Sequence, residues 1–347
     1  MNRRRLLVGS AVFVLLLAIT ASRCDRRGPG EAAVIGPDET IDGGVVRRDL
    51  RFPCGESTCA GWMYLPEAGS EPPPVVVMGH GFAGTRDVGL PPIAERLARE
   101  GLAVFVFDYR SFGASGGTPR QLVDPWQELD DWRAAIAFVR ARPEVDGARL
   151  ALFGASLGGG HALTIAAETP DVRAVVAQAP MIDTGVEGEA TFYGVPWVVR
   201  LLFSAWADFL GSAWGREPLT LAAIAPAGEF GMIVDDHAYA AFEKLVGPES
   251  TYRNVAAARS IFLFDDYDPA SHVDAIKAPV LVVASPSDRF VPFSAVQAYA
   301  ARAPNVTVET FEGDHFDVYS PPASTKAADV AARFLADRLS ASQPLSR

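Results

Sequence analysis

Gly154-Ala155-Ser156-Leu157-Gly158 constrains this chain more than any other stretch, because of what flanks it. Arg149-Leu150-Ala151-Leu152-Phe153 before it reads as a short buried strand. Gly158 to Ala167 after it reads as the start of a helix built on small residues. Strand, tight turn with serine at the apex, helix: in this context G-x-S-x-G presents a serine as a nucleophile. The turn strains the serine backbone and crowds the positions two before and two after it, where glycine removes the clash. The helix N-terminus then points at the place where negative charge would develop.

The pattern occurs a second time, at Gly113-Ala114-Ser115-Gly116-Gly117. There it trails the apolar run Ala103 to Phe107 by several residues, and Thr118-Pro119 follows it. Gly-Gly-Thr-Pro does not propagate a helix. We read the second copy as a surface loop and Ser156 as the nucleophile.

Residues 1–27 are set aside from the fold. Arg3-Arg4-Arg5 precede an uncharged apolar run of 17 residues, Leu6 to Ser22, and Arg23, Arg26 and Arg27 follow. The run is long for a signal peptide and at the short limit for a membrane span. It is expected to be an uncleaved signal anchor. A cleaved signal at Thr20-Ala21-Ser22 and lipidation at Cys24 are the alternatives. Either an anchor or a cleaved signal puts the body outside the cytoplasm. Residues 28–44 read as a linker, and residues 45–347 as the globular domain.

A net charge of −11 argues against a nucleic-acid partner. Cys54 and Cys59 flank a hairpin turn, where they either form a disulfide or remain free thiols. The five histidines are scattered, so no metal is expected, and no cofactor is implied. Oligomeric state is left open.

Continuous apolar runs at Val75 to Met78, Ala103 to Phe107, Arg149 to Phe153, Ala174 to Gln178 and Val280 to Val283 alternate with helical patterns. Buried strands alternating with helices argue for a mostly parallel sheet covered on both faces. Asp124 is placed to cap a helix running to Ala141. The rhythm stops after Gln178 for about 100 residues, an insert at 181–278 holding Trp197, Trp206 and Trp214.

A serine hydroxyl needs a base, and the base an orienting carboxylate. In such sheets these groups sit on loops beyond the carboxyl ends of strands. Asp288 follows the strand at Val280 to Ala284, and His315 follows the strand at Val306 to Phe311. The order Ser156, Asp288, His315 is the one associated with this turn. Asp265 and Asp266 are the reserve acid. Asp314 is too close to His315 in sequence to orient it. His161 is expected to pack within its helix, and His237 and His272 to be surface or core positions. Asp108 and Arg110 are expected to tie the loop after the fourth strand by an ion pair.

His80-Gly81-Phe82, Asp108-Tyr109-Arg110 with Gly113, the Ser156 turn, Ser287-Asp288 with Val291-Pro292, and Asp314-His315 occur in this order. Through them the chain resembles the α/β-hydrolase superfamily. Within it, it is similar to bacterial dienelactone hydrolases, serine aminopeptidases and X-Pro dipeptidyl-peptidase-like esterases. The resemblance spans about Val45 to Leu339. It implies an α/β-hydrolase fold: a mostly parallel eight-stranded sheet flanked by helices, with a helical lid inserted after the sixth strand. It also implies an oxyanion hole made by the backbone N–H groups of Phe82 and Leu157, with His80 supporting that loop. The expected activity is serine hydrolysis of an acyl bond, first a small-molecule carboxylic ester. The alternatives are cleavage of short peptides, acyl transfer to another acceptor, and a non-catalytic binding role.

Overall fold

Every other residue of the run Val75 to Met78 faces a different layer of helices, and all four are buried. Val75 and Val77 pack with Leu129, Trp132 and Leu163 on one side. Val76 and Met78 pack with Ile93, Leu97 and Leu335 on the other. Burial on both faces is why these strands are continuous apolar runs instead of alternating ones. The computed structural model describes residues 37–340 except 42, 68 and 183–193.

Strands and helices follow each other as β1 (Glu39–Ile41), β2 (Val45–Cys54), β3 (Ser57–Leu65), β4 (Pro74–Gly79), α1 (Pro91–Arg99), β5 (Ala103–Phe107), α2 (Pro125–Arg140), β6 (Asp146–Ala155), α3 (Leu157–Glu168) and β7 (Ala174–Gln178). An inserted segment then carries α4 (Val195–Ser212), β8 (Thr220–Ala225), β9 (Gly231–Val234), α5 (Asp236–Leu245) and β10 (Val255–Ala257). The sheet resumes with β11 (Val280–Ala284), α6 (Phe293–Ala301), β12 (Val306–Thr310) and α7 (Ala323–Ser340).

The central sheet runs β1-β2-β3-β5-β4-β6-β7-β11-β12. From β5 to β12 every pairing is parallel, and β1 to β3 are antiparallel. The sheet therefore has nine strands rather than eight. The extra one is β1, three residues within the stretch read as linker, where Glu39 to Ile41 pair with Val45 to Arg47. Counted from β2, the insert follows the sixth strand. It is not purely helical: β10, β8 and β9 form a second sheet.

Local signals account for several elements. The Asp124 carboxylate accepts the N–H groups of Trp126 and Gln127 and starts α2 ahead of Pro125. A disulfide joins Cys54 to Cys59 across the β2–β3 turn. Among the described residues no helix is long and apolar enough to cross a membrane. Residues 1–27, where the sequence suggests an anchor or signal, lie outside the described residues.

Candidate active site

Ser156 occupies the tight turn between β6 and α3 with φ of 53° and ψ of −118°. Four bonds hold this unfavourable backbone. The Ser156 N–H donates to the Gln178 carbonyl at 2.9 Å, and the Ser156 carbonyl accepts from Gly159, Gly160 and Met181. The flanking glycines are required by close approach. A Cβ on Gly154 would lie 1.9 Å from the Gly158 carbonyl oxygen, and one on Gly158 would lie 2.4 Å from that of His80.

The loops after β11 and β12 bring Asp288 and His315 to this turn. His315 Nε2 lies 3.0 Å from Ser156 Oγ, and Nδ1 lies 2.7 Å from Asp288 Oδ2. The other Asp288 oxygen accepts the N–H groups of Phe290 and Val291, both at 2.8 Å. With Nδ1–H directed to the carboxylate, Nε2 is the ring nitrogen left to accept the serine proton. Both the His315 ring and the Asp288 carboxylate are buried, and the phenyl rings of Phe290 and Phe316 pack edge-on against the imidazole.

The loop His80-Gly81-Phe82 passes directly over the serine, since a Cβ on Gly81 would meet Ser156 Cβ at 2.9 Å. No acceptor among the described residues takes the N–H of Phe82 or of Leu157. His80 is buried under this loop, with Nδ1 donating to the Gly81 carbonyl at 2.9 Å and Nε2 near the Tyr109 N–H. Burial lowers the His80 pKa, which fits a neutral ring bracing the backbone.

Other singled-out residues fall elsewhere. Ser115 lies in a loop but is buried, not on the surface: its hydroxyl donates to the Asp108 carbonyl at 2.6 Å and accepts the Ala60 N–H. The expected Asp108–Arg110 pair does not form. Asp108 binds Arg86 at 2.8 Å, and Arg110 binds Asp131 at 2.7 Å. Asp314 accepts the N–H groups of His315 and Arg289, fixing the histidine loop without touching the ring. Asp265 and Asp266 line a cavity between the insert and α6 instead of meeting His315. His161 is buried between Glu128 at 2.8 Å and the Tyr267 hydroxyl at 2.7 Å. His237 is exposed and binds Asp317, and His272 is exposed. Cys54, Cys59 and Asp131 lie close together, but both sulfurs are spent in the disulfide, so they cannot ligate as thiolates.

Two ties escaped the reading of the sequence. Arg289 reaches from the Asp288 loop to Asp314 and, at 2.7 Å, to Asp235 at the N-terminus of α5. The Asp87 carboxylate accepts the Thr251 N–H at 2.8 Å. Both join the insert to loops around Ser156, over sequence separations that leave no local signal.

Residues 70–315 match the family described as serine aminopeptidase, S33. The quorum-quenching protein AidA of Acinetobacter baumannii (strain MDR-ZJ06) is 34% identical over 271 residues, which cover 78% of this chain and 88% of that protein. The thiohydrolase aneE of Aspergillus aculeatus (strain ATCC 16872 / CBS 172.66 / WB 5094) is 36% identical over 132 residues, 38% of this chain and 39% of that protein. The solved structure of hypothetical protein PA2218 from Pseudomonas aeruginosa superposes with a TM-score of 0.74 at 21% identity, covering 88% of this chain and 99% of that one. That likeness concerns the fold. The chain belongs to the serine aminopeptidase, S33 family, within the α/β hydrolases, and is a serine hydrolase.

Proposed function

We propose that this serine hydrolase cleaves a small-molecule carboxylic ester through a covalent acyl-enzyme on Ser156. The observation that carries the reading is the unbroken line of hydrogen-bond distances from Ser156 Oγ through His315 to Asp288. In the first step Oγ attacks the ester carbonyl carbon while its proton passes to His315 Nε2. Asp288 stabilises the imidazolium. The carbonyl oxygen, now negative, accepts from the N–H groups of Phe82 and Leu157. The tetrahedral intermediate collapses as Nε2 returns the proton to the departing alcohol. Water then attacks the acyl carbon as Nε2 takes its proton, and the bond to Oγ breaks as Nε2 passes that proton to Ser156, releasing the acid.

Esters need the least additional machinery, because an alkoxide leaves more readily than an amide anion. Similarity to a quorum-quenching protein and to a thiohydrolase supports acyl-bond hydrolysis over a purely binding role. A peptidase acting on short peptides is the second reading. It is supported by the family's description and by the acidic run Asp265, Asp266 and Asp268 on the cavity wall, suited to an α-amino group.

The Cys54–Cys59 disulfide supports a domain working outside the cytoplasm, where such bonds persist. Residues 1–27 then serve as anchor or signal, the residues from 28 up to β1 as tether, and 181–278 as a cap over the site.

Hydrolysis of p-nitrophenyl esters from acetate to palmitate, beside aminoacyl p-nitroanilides, tests the reading. Ester turnover abolished by Ser156→Ala supports it. Turnover of the anilides alone would replace it with the peptidase.

A further inference from the structure

The outer face of α4 is apolar, exposed and symmetric along its length. Val195, Val199, Phe203, Trp206, Leu210 and Trp214, the last just beyond the helix, are each more than half exposed. On a helix of 3.6 residues per turn they fall within an arc of roughly 100° on one side. Leu201, Ala205 and Asp208 hold the opposite side to the protein. Arg200 and Asp208 are the charges of this stretch, and both lie off the stripe. Arg200 stacks on the Phe230 ring at 4.0 Å, and Asp208 is buried, accepting from Leu219 and Arg259.

The six positions follow one another at spacings of four, four, three, four and four, so the stripe reads alike from either end. Its midpoint lies between Ser204 and Ala205. Set antiparallel to a copy of itself about a two-fold axis at that midpoint, α4 brings Val195 level with Trp214, Val199 with Leu210, and Phe203 with Trp206. At both ends a small side chain faces a large one, the arrangement that lets facing layers interdigitate. Trp206, beside the axis, already rests on Phe262 and Phe209, with ring centroids 5.1 and 5.6 Å away. Little side-chain freedom is left to lose there on association.

We infer that this face is a two-fold interface between two copies of the chain, with their α4 helices antiparallel in that register. The area fits. At the exposures above, with a whole aromatic side chain worth roughly 150–250 Å², the six residues present on the order of 800 Å². A standard interface takes about 800 Å² from each partner, whereas the largest apolar patch on a monomer is about 300–600 Å². The charge fits as well. Two copies of net charge −11 repel each other, and the stripe lets them meet with no charge in the contact. A lipid surface or an unrelated apolar partner would make no use of the repeated spacing. Only a partner that carries the same spacing matches it at all six positions.

Cross-linking of the full chain tests the register. Cys24→Ser first removes the cysteine outside the disulfide. Positions 199 and 210 lie about 16 Å apart along one helix, and the cross-linker is a bismaleimide shorter than that. In Val199→Cys/Leu210→Cys each new cysteine faces the other kind on the second copy, and a covalent dimer is the expected product. In either single variant the like cysteines lie about 16 Å apart along the helix direction, and about tenfold less dimer is expected. Adding Phe203→Asp to the double variant sets two like charges beside the axis. It is expected to lower the dimer yield about tenfold, with the circular dichroism unchanged. Single variants that cross-link as well as the double one would overturn the register and the interface with it. A double variant that stays monomeric would overturn the interface whatever else covers the stripe. Quenching of tryptophan emission by vesicles brominated on the acyl chains, lost in Trp206→Phe/Trp214→Phe, would in that case give the stripe to lipid.

Discussion

Asp288 holds the His315 ring by one carboxylate oxygen, 2.7 Å from Nδ1, while its other oxygen is tied to two backbone N–H groups of its own loop. The carboxylate cannot turn away without breaking those bonds. Asp288→Asn keeps the shape but offers Nδ1–H an amide in place of a carboxylate, or reverses the ring's tautomer. We expect kcat for a soluble ester to fall about 10⁴-fold with little change in KM. Steady-state kinetics at neutral pH checks this, and a loss below tenfold would remove Asp288 from the reaction.

Gly158 sets the distance between the serine turn and the loop that carries Phe82. A methyl there meets the His80 carbonyl oxygen at 2.4 Å, so the loop must move. Gly158→Ala is expected to cost a factor of about 10² or more in kcat, the scale of losing one oxyanion donor. Circular dichroism would show the fold retained. Full activity would mean that the loop does not hold the oxyanion.

The buried Glu128–His161 pair predicts a pH dependence of stability. Burial raises the Glu128 pKa well above its ordinary 4.5 and lowers that of His161 to about 3. The folded state therefore keeps the Glu128 proton, which the unfolded chain gives up above pH 4.5. The stability Glu128 contributes is complete below that pH and declines as pH rises. His161 acts oppositely, losing stability as pH falls below 6.5, and does so with or without Glu128. The stability difference between the wild type and Glu128→Gln should shift progressively against the wild type as pH rises above 4.5. Urea unfolding across that range measures it, and parallel curves would refute the buried proton.

The Cys54–Cys59 bond closes a short hairpin loop. Replacing both cysteines by serine is expected to destabilise the domain by about 2 kcal/mol. A reductant should lower the wild-type unfolding midpoint to a similar extent and leave the variant unmoved. An insensitive wild type would show that the bond adds nothing.

The legible parts of this fold are those coded by neighbours in the chain. Val75 to Met78 and Ala103 to Phe107 read as strands because both faces are buried, and Asp124 announces α2 by capping it. The Ser156 turn was legible because its glycines must sit next to it. What escaped depends on partners far along the sequence. Thr220 to Ala225 and Val255 to Ala257 are short and alanine-rich, and become strands by pairing with each other and, for the first, with Gly231 to Val234. Asp108 and Arg110 looked like partners by proximity, yet each pairs with a residue further off along the chain, Arg86 and Asp131. Arg289 bridging Asp235 and Asp314 leaves no trace in spacing. The exposure of α4 was hidden for a related reason, since an apolar stripe reads the same whether it faces the core or solvent.

Reaction with an active-site-directed fluorophosphonate, followed by peptide mass spectrometry, tests the central claim most directly. A single adduct on Ser156, formed far more slowly in His315→Ala, is the predicted result. A folded protein that forms no adduct, or forms it on Ser115, would contradict the account.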